Sequence, residues 1–236
     1  MPLTISGDTH VADVVTEKPS RGRVFEKYKI DYCCGGKAPI SEICQKKGIS
    51  VDQVLSDLRA HDAAATQAEK DWSTTSLSEL IDNIVTTHHD YLREELPRLL
   101  QKAERVAAVH GDNHPETVEI FNVYREMKDE LEAHMEKEET VLFPWIRGAE
   151  KGQGGSPPFP GMTMEKPVEC MIHDHEKAGA ALERLEELTS NYTPPADACN
   201  TYRVLYEGLA HLQQDMHTHV HKENSILFPK ALALPA

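Results

Sequence analysis

At 236 residues with a formal net charge of −14, the chain is long enough to bury a substantial core, and its acidity argues against nucleic acid, whose phosphates need Lys and Arg to neutralise them. Five cysteines, with Cys44, Cys170 and Cys199 isolated, oppose a disulfide framework and favour a reducing compartment. No stretch approaches the roughly 20 apolar residues of a membrane span, and the start lacks a basic segment followed by an apolar one, so a cytoplasmic protein is expected.

Short helical signals fill the first 65 residues: "VADVVTEK", "RGRVFEKY" and "ISEICQKK" are separated by Pro or Gly, and "SVDQVLSDLRAH" opens with Ser50 and Gln53 at capping-box spacing. Among them "DYCCGGK" sets Cys33 beside Cys34. On its own such a pair reads as two small side chains closing a turn. A vicinal disulfide needs a strained ring, a metal grip lacks a third or fourth thiol nearby, and Lys29, Lys37 and the helix start after Pro39 favour thiolate. The stretch "TQAEKDWSTTS" has no apolar period and reads as a linker. The expected division is a small helical domain over 1–66, a linker over 67–76 and a larger domain over 77–236.

Residues 1–75 are nearly neutral, so the acidity belongs to the larger domain, where it serves solvated helix faces or cation ligands. Four long helical patterns are expected there: Ser76 to about Ala108, Asn113 and Pro115 to about Ile146, about Met164 to Thr189, and about Ala196 to Phe228. Four amphipathic helices of similar length, the middle pair separated by the Gly/Pro-rich "GAEKGQGGSPPFPG", predict an all-α chain built on an antiparallel four-helix bundle.

An internal repeat carries the chemistry. "HMEKEETVLFP" (His134 to Pro144) and "HVHKENSILFP" (His219 to Pro229) share H-x-x-K-E-x-x-[V/I]-L-F-P. His134 and Glu138, like His219 and Glu223, stand four apart and so share a helix face. That face is the core stripe: Ile120, Tyr124, Met127 and Leu131 lead to His134 and Glu138 and resume at Val141, while Leu205, Leu209, Leu212 and Met216 lead to His219, Glu223 and Ile226. Buried carboxylates are costly unless paired or bound to a metal. The third helix puts His175 among Met171, Ala178, Leu182 and Leu185; the first puts His89 before Leu92, Leu96 and Leu99. His89 precedes His134 by 45 residues and His175 precedes His219 by 44, although Ile81 and Ile84 support the phase of His88 equally well. A lone His on such a stripe is ordinarily a satisfied core residue; the repetition turns the set into a candidate metal centre. The histidines outside the set, His217 and His221 among them, read as surface or neighbouring residues, and Thr218 denies those two the H-E-x-x-H pattern of a metalloprotease. Four imidazoles and two carboxylates without a thiolate suit a pair of borderline transition ions better than structural zinc, and two carboxylates from opposite helices can bridge two irons.

With these residues in view, the chain resembles the hemerythrin-like di-iron fold. The pairing of "DYCCGGK" with a duplicated H-x-x-x-E bundle resembles the bacterial iron-sulfur cluster repair di-iron proteins of the RIC type, also called ScdA or YtfE type. The resemblance implies a non-haem centre of two iron ions, oxo- and carboxylate-bridged, on His89, His134, Glu138, His175, His219 and Glu223, with Cys33 and Cys34 as the family's redox or iron-handling pair. It implies repair of clusters damaged by nitric oxide or oxidants. The alternative is a nitric oxide or dioxygen binding, sensing or nitric oxide-reducing protein. Expected partners are damaged iron-sulfur proteins and those gases, with a homodimer left open. Gly179, four residues after His175, and Glu223 at i+4 depart from the simpler oxygen-carrying hemerythrins and argue against a pure oxygen carrier.

Overall fold

The computed structural model describes residues 3–64, 70–152 and 161–234. The elements are α1 (Val11–Glu17), α2 (Gly22–Lys27), α3 (Ile40–Lys47), α4 (Val51–Ala64), α5 (Leu77–Ile84), α6 (Asp90–His110), α7 (Glu116–Lys137), α8 (Phe143–Glu150), α9 (Glu165–Leu188), α10 (Asn200–Lys222) and α11 (Phe228–Leu232). Single π turns over Val85–His89, Glu138–Leu142 and Glu223–Leu227 join α5 to α6, α7 to α8 and α10 to α11. Among the described residues β-pairing is limited to an isolated bridge between His10 and Pro39, and no helix is long and apolar enough to cross a membrane.

Two compact units result. One comprises Met1–Leu80 with His217–Pro235, the other Ile81–Met216. Most of the expected linker falls in the first unit. Residues 67–69 of it lie outside the described residues, but Trp72–Thr74 form a short 3-10 turn capped by the Asp71 side chain. Lys230 Nζ donates to the carbonyls of Ser73 (3.1 Å) and Thr75 (2.7 Å) in the same segment.

The second unit is built on the predicted stripes. Leu92, Leu96 and Leu99 of α6, Ile120, Tyr124 and Met127 of α7, Met171, Leu182 and Leu185 of α9, and Leu205, Leu209 and Leu212 of α10 are all buried. Each such side chain contributes about 1.5 to 3 kcal/mol of burial. Gly208 lets α10 approach α6 closely: a Cβ there would lie 2.4 Å from Leu99 Cδ2, so the Leu99 side chain would have to shift. The fourth helix starts at Asn200, later than expected, because residues 194–199 form a turn whose carbonyls at Ala196 and Ala198 accept from the Arg203 guanidinium. The central part of the Gly/Pro-rich loop, 153–160, lies outside the described residues.

In the first unit Val14, Val15, Phe25, Ile40, Val54 and Leu58 form the core. The expected caps are present, with Gln53 N–H donating to Ser50 Oγ (3.4 Å) and Glu79 N–H to Ser76 Oγ (3.1 Å). Arg21, buried, clamps the unit: its Nη2 donates to Asp62 Oδ2 (2.9 Å), its Nε to Asp62 Oδ1 (3.1 Å) and its Nη1 to the Val14 carbonyl (3.2 Å). Partial burial pushes the Asp62 carboxyl up, but the Arg21 and Lys18 contacts outweigh it and hold the carboxyl below its ordinary range. A depressed carboxyl contributes stability above its unfolded pKa and loses it as the pH falls through the folded value. Asp62→Asn is therefore expected to cost about 2 kcal/mol near neutral pH, with the difference from the parent narrowing below about pH 4. Urea denaturation of both proteins across that range measures it.

Candidate metal centre

Glu138 and Glu223 begin their π turns, and His89 ends the third. In each turn the closing N–H reaches back five residues: Phe143 to the Glu138 carbonyl, Phe228 to Glu223, and Asp90 to Val85. In the two repeat copies the cause is legible. Pro144 and Pro229 have no N–H and crowd the carbonyl four residues back, so the preceding turn widens.

A π turn advances the chain by one residue relative to an α-helix, and that changes the phase. Ile81 and Ile84, buried, point to His88; Leu92, Leu96 and Leu99, also buried, point to His89. Both readings of the stripe are right on their own side of the turn, which absorbs the extra residue. The same effect corrects the expectation at Val141, which is exposed, while Leu142 is buried.

The six predicted residues are all buried, with Glu138 and Glu223 fully inaccessible. His89 Nε2 lies 3.4 Å from Glu138 Oε2, and His134 Nε2 lies 3.3 Å from the same oxygen. His175 Nε2 is 3.1 Å from His134 Nε2. Two imidazoles on one ion with metal–nitrogen bonds near 2.1 Å have nitrogens about 3.0 to 3.4 Å apart, as bond length and octahedral or tetrahedral angles require. His219 Nε2 lies 3.2 Å from Glu223 Oε1. The ligand atoms form two groups, His89, Glu138, His219 and Glu223 in one and His134, Glu138, His175 and Glu223 in the other, each within 4.8 Å. Both carboxylates belong to both groups. These clusters could hold metal, and their nitrogen and oxygen donors fit iron.

His88 is placed elsewhere: it is buried with Nδ1 2.7 Å from Asp215 Oδ1. Outer partners that the stripes did not reveal orient the candidate ligands. Glu139 Oε1 lies 2.6 Å from His89 Nδ1 and also accepts from Arg93. Partial burial pushes the Glu139 carboxyl up, but His89 and Arg93 outweigh it and hold it below the ordinary range. Asp174 Oδ2 is 3.6 Å from His134 Nδ1 and accepts from Lys137 Nζ (3.0 Å). The short contact at His89 fixes ring orientation and raises ligand basicity. The sequence signal for both was only an acidic residue beside a candidate ligand.

The repeat diverges at two positions that matter elsewhere. Where the first copy has Glu136 and Glu139, the second has His221 and Asn224. His221 is buried, contrary to the surface reading. Its Nδ1 donates to the Tyr32 carbonyl (3.3 Å), and Asn224 Nδ2 donates to the Cys33 carbonyl (3.5 Å). Burial depresses His221 to about 4, so the ring is neutral near neutral pH. Cys33 is buried and Cys34 half-buried, both as free thiols. The expectation of thiolate fails for Cys33, whose hydrogen bond with Cys34, burial and the neighbouring Asp31 carboxylate push its pKa well up.

The family model for the hemerythrin HHE cation binding domain matches residues 80–231, and the ScdA amino-terminal model, described as a domain of unknown function, matches residues 7–62. The chain is 37% identical over 226 residues to the iron-sulfur cluster repair protein YtfE of Enterobacter sp. (strain 638), covering 96% of this chain and 97% of that one. It is 36% identical to the YtfE protein of Escherichia coli O81 (strain ED1a) and 35% to that of Escherichia fergusonii, with the same coverage.

Glu138→Ala is expected to lower metal occupancy of both groups, because both use its oxygens, whereas His175→Ala acts on one. Glu139→Ala, which removes the acceptor at His89 Nδ1, is expected to weaken affinity about 10- to 100-fold. Competition with a chelator measures all three, with helicity followed alongside.

Proposed function

The chain belongs to the hemerythrin-domain iron-sulfur cluster repair proteins, and on that premise we propose that it restores iron-sulfur clusters damaged by nitric oxide or oxidants, using two iron ions held by His89, His134, Glu138, His175, His219 and Glu223. The observation that carries this reading is the sharing of Glu138 and Glu223 by both ligand groups. Shared carboxylates would hold two cations close, and the cations would neutralise carboxylate charges that a metal-free core would bear at a cost of several kcal/mol each.

A bound iron pair supplies Lewis acidity and redox capacity toward small ligands, or iron itself for a damaged cluster. The chain's part is to hold and orient. Each group offers two imidazoles and two shared carboxylates, a donor set that would leave room for a small ligand on a bound ion. Glu139 keeps the His89 ring aimed inward, Asp174 places a carboxylate near His134 Nδ1, and Phe143 stacks on His89 with ring centroids 5.8 Å apart. Cys33 and Cys34 act as the redox or iron-handling pair, and the clients are damaged iron-sulfur proteins of the cytoplasm.

That room also favours a second reading, binding, sensing or reduction of nitric oxide, in which the cysteines take no part. The two separate on one assay. Purified iron-loaded protein is incubated with a cluster enzyme inactivated by nitric oxide, beside a Cys33→Ala/Cys34→Ala variant. Repair predicts recovery of client activity with the parent and its loss in the variant at unchanged bundle iron. Equal gas binding in both proteins, with no client recovery from either, overturns it.

A further inference from the structure

The loop carrying Cys33 and Cys34 is organised by a residue that thiol counting passes over. Asp31 Oδ1 accepts from the backbone N–H of Cys33 (2.8 Å) and of Cys34 (3.0 Å) and from the Cys33 thiol (3.0 Å), and Oδ2 accepts from Gly35 N–H (2.7 Å). Three backbone donors thus fix this carboxylate against the sulfurs. The two Sγ atoms are 3.9 Å apart, and one ligand atom from each of Asp31, Cys33 and Cys34 fits within 4.8 Å.

The sulfur spacing, that of a thiol–thiol hydrogen bond, rules out a disulfide and is compatible with a shared ion. Disulfide sulfurs stand about 2.05 Å apart. Two thiolates on one tetrahedral ion, with metal–sulfur bonds near 2.3 Å, stand about 3.8 Å apart. We propose that Asp31, Cys33 and Cys34 form a second metal site, in which two thiolates and one carboxylate oxygen hold a single divalent ion of the Fe2+ and Zn2+ class.

Binding exchanges two thiol protons, released to solvent, for one dication, and no electron moves. Asp31 Oδ1 gives up its thiol hydrogen bond and keeps its backbone ones. The Cys33 sulfur and this oxygen have to part only to about 3.5 Å, the span of a tetrahedral sulfur–oxygen pair. The rest of the loop is already held. The Tyr32 and Cys33 carbonyls accept from His221 and Asn224, and Ala12 N–H donates to the Gly36 carbonyl (2.9 Å). Gly36 is required there, since a Cβ would lie 2.3 Å from the Tyr32 carbonyl oxygen. Three donors beside the half-buried Cys34 and exposed Gly35 leave a fourth position for an incoming ligand, an arrangement suited to passing an ion on. The inference deepens the iron-handling role proposed for the pair and rests on it only for iron as the cargo; the donor geometry stands alone.

The test uses the full chain with its bundle loaded with iron, under anaerobic and reducing conditions, titrated with Co2+ as the probe. The expected result is about one further ion per chain, with thiolate-to-cobalt charge-transfer absorption and bundle iron unchanged in the same sample. X-ray absorption at the cobalt edge should show two sulfurs with oxygen or nitrogen completing the shell. Cys33→Ser/Cys34→Ser should abolish the absorption. Asp31→Asn, which keeps an oxygen for the backbone amides, should weaken binding about tenfold or more. Absence of thiolate absorption, a sulfur-free shell, or unchanged affinity in folded Asp31→Asn overturns the site. Repair activity does not enter the readout, so failure here leaves the bundle's iron chemistry standing, and failure of repair leaves this site standing.

Discussion

Two carboxylates with no solvent exposure, Glu138 and Glu223, are the constraint on which the helical architecture turns. An ionised carboxylate in an apolar interior is tolerated only against compensating charge and hydrogen bonds. Here His89 and His134 meet Glu138 within 3.4 Å and His219 meets Glu223 at 3.2 Å. The leucines, methionines and tyrosines along the same stripes supply the apolar burial that offsets those polar groups and keep water from the donors.

The π turns connect that constraint to the fold. A helix that must deliver His and Glu inward and continue inward beyond them gains from one extra residue per turn, because the stripe then resumes in register. The L-F-P end of each repeat copy enforces the widening at Glu138 and Glu223. At His89 the turn reconciles two apolar phases that an unbroken α-helix would have set in conflict.

Much of this was legible in the residues. The spacing of Ile120, Tyr124, Met127 and Leu131, the duplicated H-x-x-x-E and the near-equal His–His intervals pointed to the helical bundle and to the six residues whose atoms converge. What escaped has physical reasons. A π turn is invisible to a fixed 3.6-residue period, so periodicity alone does not separate His88 from His89, which the repeat interval and the downstream leucines favour, and it places Val141 inward. Glu139 and Asp174 stand next in sequence to Glu138 and His175, but they face His89 and His134 on other helices, from outside the stripe. His221 and Asn224 looked like drift within a repeat, but they grip the Tyr32 and Cys33 carbonyls, a tertiary relation that no local pattern encodes. Asp31 was passed over because a search for thiols does not weigh a carboxylate held by backbone amides.

The repeat therefore serves two ends. Its first copy keeps Glu139 as an acceptor for a buried imidazole; its second turns the equivalent position toward the cysteine loop. The most direct test of the central claim is Mössbauer spectroscopy in an applied field on purified, iron-loaded protein. Sharing of Glu138 and Glu223 predicts about two irons per chain with the spectrum of a magnetically coupled pair. A single uncoupled iron, or none retained, would contradict it.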